Sequence, residues 1–166
     1  MEAITIKNST DKITPNFIFS EYFNASHVNK DYDICKPLVD AMQVLREHYS
    51  QSWMITSTYR PADQFGYHKI YPCGAIDSVP SNPDNRVSTL ADFKQECQNY
   101  IDSKGSELIE KLRKVGITGF GIEGTCIHLD CRTNGTRRDS LGTFTIFIFK
   151  CHYVAGKMVV DENRAL

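Results

Sequence analysis

Two histidines and two aspartates carry the chemistry that this sequence offers. His68 and Asp77 bracket the stretch "YHKIYPCGAID" at 67–77, and His128 and Asp130 sit in "IHLDC" at 127–131. Imidazole nitrogens and a carboxylate oxygen are good zinc donors, and a catalytic zinc site uses three protein ligands with a fourth position left to water. His68, Asp77 and His128 can supply such a set. Alternate side chains of a strand share a face. His128 and Asp130 therefore point one way, and Ile127 and Leu129 point the other, toward a core. The same residues also suit a plainer role as hydrogen-bonded polar groups at the boundary of a small domain. Spacing alone leaves both readings open.

Other reactive residues are fewer. Six cysteines stand at 35, 73, 97, 126, 131 and 151, with no Cys-x-x-Cys pair to suggest a structural zinc finger. Cys126 or Cys73 beside His128 or His68 allows a cysteine hydrolase, although no oxyanion loop is recognisable. A chain with no secretory signal is expected to keep its cysteines as buried thiols. His48 falls near a helix end, where it can interact with the dipole. His152 lies on the last hairpin, within reach of the site as an electrophile or as a partner to a ligand. Tyr59 and Tyr67 are candidates for lining a groove or for simple packing.

The elements that must position these groups can be read from periodicity. Residues 36–50 read as a helix, with Pro37 in its first turn and Leu38, Met42 and Leu45 on one face. "WMITSTY" from Trp53 reads as a strand that ends at Arg60-Pro61. Residues 61–73 read as a loop, and "GAIDSV" as a short strand. Ser88 is expected to cap a helix running to about Asp102. Ser106 begins a second helical piece that Gly116 stops. "ITGFGI" and "CIHLDCR" read as strands joined near Gly124, and "TNGTRRDSLG" as a polar loop. The C-terminal "TFTIFIFKCHYVAGKMVV", residues 143–160, reads as a hairpin turning at Ala155-Gly156. The first thirty-odd residues look irregular apart from a short strand at Ala3 to Lys7. This order predicts an α+β fold, a small antiparallel sheet with flanking helices.

Composition narrows the partners. The 166 residues suit one domain, 1–166. A net charge of −1 gives no basic field for nucleic acid. No apolar run approaches a membrane span. The N-terminus shows no basic region followed by an apolar one, so a cytoplasmic product is expected.

The phrases also resemble a known family when taken in order. "NFIFSEYF", the helix "LVDAMQVLREHY", "ITSTYRP", a loop ending Gly-Ala-x-Asp, and "GITGFGIEGTCIHLDCR" are similar to the zinc peptidases that include D-Ala-D-Ala carboxypeptidases, phage endolysin L-alanyl-D-glutamate endopeptidases and the hedgehog signalling domain. The resemblance spans about residues 16–132. It implies a hedgehog-like fold, Zn2+ as cofactor, and His68, Asp77 and His128 as its ligands. It implies that Arg60 stabilises a charged substrate or transition state, and that Asp130 orients an imidazole. Family members place a glutamate base three or six residues before the last histidine. Positions 125 and 122 are Thr and Ile here, so Glu123 is the candidate base. The chain departs from the pattern elsewhere too. Eight residues separate His68 from Asp77, two more than usual, Gly66 replaces a serine, and Thr58 replaces a glycine.

The activity so implied is hydrolysis of amide bonds in peptidoglycan stem peptides, as a carboxypeptidase or endopeptidase of a bacteriophage or bacterium. It would reach the cell wall after release or as part of a virion. The alternative is a zinc-binding structural or binding module without hydrolysis, such as a virion component.

Overall fold

The computed structural model describes residues 1–63 and 66–166. The expected loop over 61–73 includes Gln64 and Phe65, which lie outside the described residues. The N-terminal part is more regular than its composition suggests. It runs β1 (Ala3–Ile6), β2 (Lys12–Thr14), β3 (Phe17–Ile18), α1 (Phe19–Asn24) and β4 (Tyr32–Cys35). β1 pairs antiparallel with β4, and β2 with β3. Phe17 and Tyr22, from the aromatic patch, are buried in the core.

Helix α2 (Lys36–His48) has Pro37 in its first turn and buries Leu38, Val39, Ala41, Met42 and Leu45, the face set by sequence periodicity. β5 (Trp53–Ser57) and β6 (Ala75–Pro80) follow, the latter buried along its whole length. Helix α3 (Arg86–Ile101) starts ahead of Ser88. It continues directly from a short 3-10 turn at Pro83–Asn85, so Ser88 lies inside it and donates to the Asn85 carbonyl at 3.1 Å instead of capping. Helix α4 (Glu107–Val115) is bounded as expected: Ser106 accepts from the Ile109 amide, and Gly116 closes it at φ +108°.

Five strands complete the chain: β7 (Gly119–Glu123), β8 (Cys126–Asp130), β9 (Arg137–Asp139), β10 (Gly142–Val154) and β11 (Lys157–Ala165). The polar loop after β8 thus contains a short strand, and the final hairpin extends beyond 143–160. The main sheet has the order β11-β10-β7-β8-β6-β5, with β9 on β10. It is mixed and not purely antiparallel, because β10 runs parallel to β7. Local alternation had suggested only a hairpin. The parallel pairing depends on a connection through β8 and β9 that carries no local signature.

Helix α3 packs on β6, β7 and β8. Its Phe93 and Cys97 share one core with Ile127 and Leu129, as strand alternation requires. The other face of the sheet carries the polar residues. Among the described residues, no helix is long and apolar enough to cross a membrane.

Candidate metal centre

Register places the site as lateral rows on this second face. Asp77 pairs directly with His128, His128 with Gly121, and Gly121 with Phe147, so one row crosses β6, β8, β7 and β10. The neighbouring row holds Ala75, Asp130, Gly119 and Thr145. On the other side, Cys126 pairs with Glu123, and Glu123 with Phe149. Directly opposed residues share a face, and alternation keeps these rows on one side of the sheet.

His68 joins this face from the loop. A 3-10 turn, Tyr67–Lys69, carries it, and the His68 carbonyl accepts from the Arg60 amide at 2.9 Å. The segment between His68 and Asp77 bulges outward, with Ile70 and Tyr71 exposed and the Tyr71 hydroxyl on Asp33 at 2.7 Å. Gly66 suits its place because its backbone adopts φ +94°, ψ 174°, a region almost confined to glycine. Thr58 also has a structural reason. Its hydroxyl bonds the Tyr22 carbonyl at 3.2 Å and accepts from the Tyr32 hydroxyl at 2.8 Å, anchoring the backbone beside the site.

That backbone fixes the His68 tautomer. His68 Nδ1 lies 2.6 Å from the Thr58 carbonyl, which can only accept, so Nδ1 carries the proton. Nε2 then presents its lone pair, 3.2 Å from Asp77 Oδ1, with no hydrogen-bond partner among the described residues. His128 is held the other way round. Its Nε2 faces Asp130 Oδ2 at 3.1 Å, and its Nδ1 faces Asp77 Oδ1 at 2.8 Å. His68, Asp77 and His128, all buried, each bring one donor atom within 4.8 Å of the others. An unpartnered buried imidazole nitrogen, a carboxylate and a second imidazole whose far nitrogen is engaged by a carboxylate fit a divalent metal ion well.

The electrostatics follow from these bonds. Burial alone would raise the Asp77 carboxyl, but the hydrogen bond from His128 holds it well below the usual carboxylate range. Burial likewise opposes charging of His128, yet bonds to Asp130 and Asp77 outweigh it and raise the imidazole to about 10. Asp130, fully buried, would rise by desolvation, but Arg132 and His128 bring it down to about 2. Burial pushes Glu123 upward, against the attraction of His128.

The remaining expected residues divide clearly. Glu123 Oε1 lies 3.6 Å from His128 Nδ1, and Glu123 forms a second close donor group with Asp77 and Cys126. Arg60 approaches Asp77, Nη2 to Oδ2 at 3.9 Å, and pairs with Asp63. Asp130 contacts His128. His152 does not reach the cluster. Phe147, Phe149 and Tyr153 line the cleft, so alternation along β10 turns His152 to the opposite side, where it bonds Asp161 at 2.9 Å. Cys73 and Cys126 are poor nucleophiles because burial raises both thiols, Cys73 to about 12.

A cleft of about 670 Å³ opens over the cluster. Arg60, His68, Glu123 and His128 line its floor side, and Phe147, Phe149, Tyr153 and Met158 of the hairpin form a wall. Sequence reasoning missed Arg132 and Phe147. Arg132 ends the phrase "IHLDCR", and its distance from the histidine was the available signal. Phe147 had none, because only the parallel pairing brings it to Gly121. A separate group, His48, Asp92 and Glu96, sits on the helical side of the molecule. No family model matches the chain, and searches of curated proteins and of solved structures also found no match.

Proposed function

We propose that the protein is a zinc-dependent peptidase that hydrolyses amide bonds of peptidoglycan stem peptides. The observation that carries this reading is the convergence of His68 Nε2, Asp77 Oδ1 and His128 Nδ1 on one point at the floor of an open cleft. These three residues would hold the ion. Bound zinc supplies Lewis-acid polarisation of a carbonyl and makes water acidic enough to react near neutral pH.

The chain's own groups do the rest. Glu123, raised by burial and facing the donor set, accepts a proton at Oε1 and returns it to the leaving amine. Arg60, on the rim, orients a substrate carboxylate or stabilises developing negative charge, a task suited to a planar guanidinium. The aromatic wall from β10 excludes water from one side. The cleft volume falls in the range of small-ligand sites, enough for a short peptide segment. Action on the cell wall follows release from the cell or assembly into a virion.

One observation favours a second reading. Glu123 Oε1 lies 3.6 Å from His128 Nδ1 and groups with Asp77 and Cys126, so by turning inward it would close the three-residue set as a fourth donor. A closed set of that kind suits a structural zinc site, and the protein would then be a binding or virion module without hydrolysis. Metal analysis of the purified protein, with release of amines from purified cell wall by wild type and Glu123→Ala, separates the two. Hydrolysis by the wild type that falls by roughly 10²–10⁴-fold in the variant, with zinc retained, supports the enzyme. Bound zinc without wall cleavage supports the module.

A further inference from the structure

Arg132 stands one step behind the donor set, and its surroundings are unusually complete. Its Nε donates to Asp130 Oδ1 at 2.8 Å, and its Nη2 to Asp130 Oδ2. Its backbone amide adds a third bond to Oδ1 at 3.1 Å. The guanidinium lies between two rings, 4.9 Å from the centroid of Tyr67 and 5.1 Å from that of Phe147. A fork that grips both oxygens fixes the plane of a carboxylate, and stacking on both faces fixes the fork. Asp130 has no freedom on its other side either. Its carboxylate lies directly over Gly119, where an added Cβ would come within 2.0 Å of Oδ1.

The remaining direction open to Asp130 Oδ2 is toward His128 Nε2, at 3.1 Å. A carboxylate held in that place keeps a proton on Nε2 and leaves Nδ1, which faces His68 and Asp77, as the nitrogen whose proton a metal ion would displace. We infer that Arg132 is a positioning residue for the candidate metal centre, acting through Asp130 to set which nitrogen of His128 is offered as donor, with Tyr67 and Phe147 as its clamp. The inference deepens the metal-site reading and rests on it.

The test uses the full chain as wild type, Arg132→Met, Arg132→Lys and Tyr67→Leu. One readout is the slowly exchanging Nε2–H of His128 in proton NMR of metal-free protein, told apart from the Nδ1–H that faces Asp77 by ring nitrogen correlation, which reports the bond to Asp130. The other is zinc affinity by chelator competition. Arg132→Met is expected to lose the ring-proton signal and to bind zinc about 10–100-fold more weakly, the usual effect of removing an outer partner. Arg132→Lys keeps the charge but not the planar fork, and is expected to fall between. Tyr67→Leu removes one ring at a half-exposed position, so it reports on the clamp even if Arg132→Met fails to fold. It is expected to speed exchange of the same proton.

An Arg132 that merely balances a buried charge would give Arg132→Met lower stability with the ring proton and zinc affinity unchanged, and that result overturns the inference. Unchanged exchange in Tyr67→Leu counts against the clamp in the same way. If wild type binds no zinc while the ring proton behaves as described, the metal-site reading fails and the control of His128 by Arg132 stands.

Discussion

Gly121 faces His128 across β7 and β8 without a side chain of its own, and the ring of Phe147 fills that space. The Phe147 and His128 rings lie 5.6 Å apart. A Cβ on Gly121 would meet Phe147 Cζ at 2.6 Å and His128 Cβ at 2.9 Å. Gly121→Ala is therefore expected to cost about 1–3 kcal/mol through overpacking. Thermal unfolding of the single variant and of Gly121→Ala with Phe147→Ala checks this. The double variant should cost less than the sum of its parts, and strict additivity would show that the two positions do not compete for the same space.

Removal of any one donor tests the candidate metal centre. His68→Ala, Asp77→Ala and His128→Ala are each expected to lower zinc affinity by more than the roughly 10–100-fold attached to an outer partner. The sheet holds Asp77 and His128 through backbone pairing on both sides, so chelation should leave the far-ultraviolet circular dichroism unchanged. Full zinc retention in one of the three variants removes that residue from the donor set.

Inhibitor sensitivity separates metal from thiol chemistry. A chelator is expected to abolish wall hydrolysis, and a thiol alkylator to leave it intact, because burial raises the thiols of Cys73 and Cys126 and disfavours their reactive form. The opposite pattern would return the cysteine hydrolase to consideration.

Acid should weaken a different part of the molecule. The buried Arg113 guanidinium donates to Asp139 twice, at 2.8 and 2.7 Å, and the Tyr100 hydroxyl adds a third bond at 2.5 Å. Arg113 holds the Asp139 carboxyl well below its ordinary value. A depressed carboxyl contributes stability that is complete above its unfolded pKa of about 3.9 and is lost as pH falls toward the folded value. Asp139→Asn leaves a buried arginine short of its partner and should cost about 3 kcal/mol at pH 7. In urea unfolding, the gap between wild type and variant should narrow from pH 7 to pH 2. A gap independent of pH would mean that the ionised Asp139 does not contribute.

Legibility in the sequence followed the range of the interactions. Helix α4 was plain because Ser106 and Gly116 mark its ends locally. The facing of His128 and Asp130 followed from alternation, since Ile127 and Leu129 had to face the core. The start of α3 was misplaced because the 3-10 turn at Pro83–Asn85 leads into it without a break. The parallel pairing of β10 with β7, and with it the place of Phe147 and the outward turn of His152, is a long-range choice that no local pattern encodes. The role of Arg132 was hidden for a related reason: its rings come from Tyr67 in the loop and Phe147 in β10, far apart along the chain.

The hairpin that walls the cleft is supported unevenly. β10 pairs with β7 only from Thr145 to Phe149, and a register shift between Lys150 and Cys151 marks where the ribbon leaves the sheet. From Cys151 to Val154 its one strand partner among the described residues is β11. Two strands on their own are marginally stable in water, so local opening free energy should decline steadily toward the turn at Ala155-Gly156. The cleft thus has a stiff floor, which fixes the donor atoms, and a wall that grows more compliant toward its tip. Tilting of the ribbon would change the width of the cleft and leave the spacing of His68, Asp77 and His128 the same.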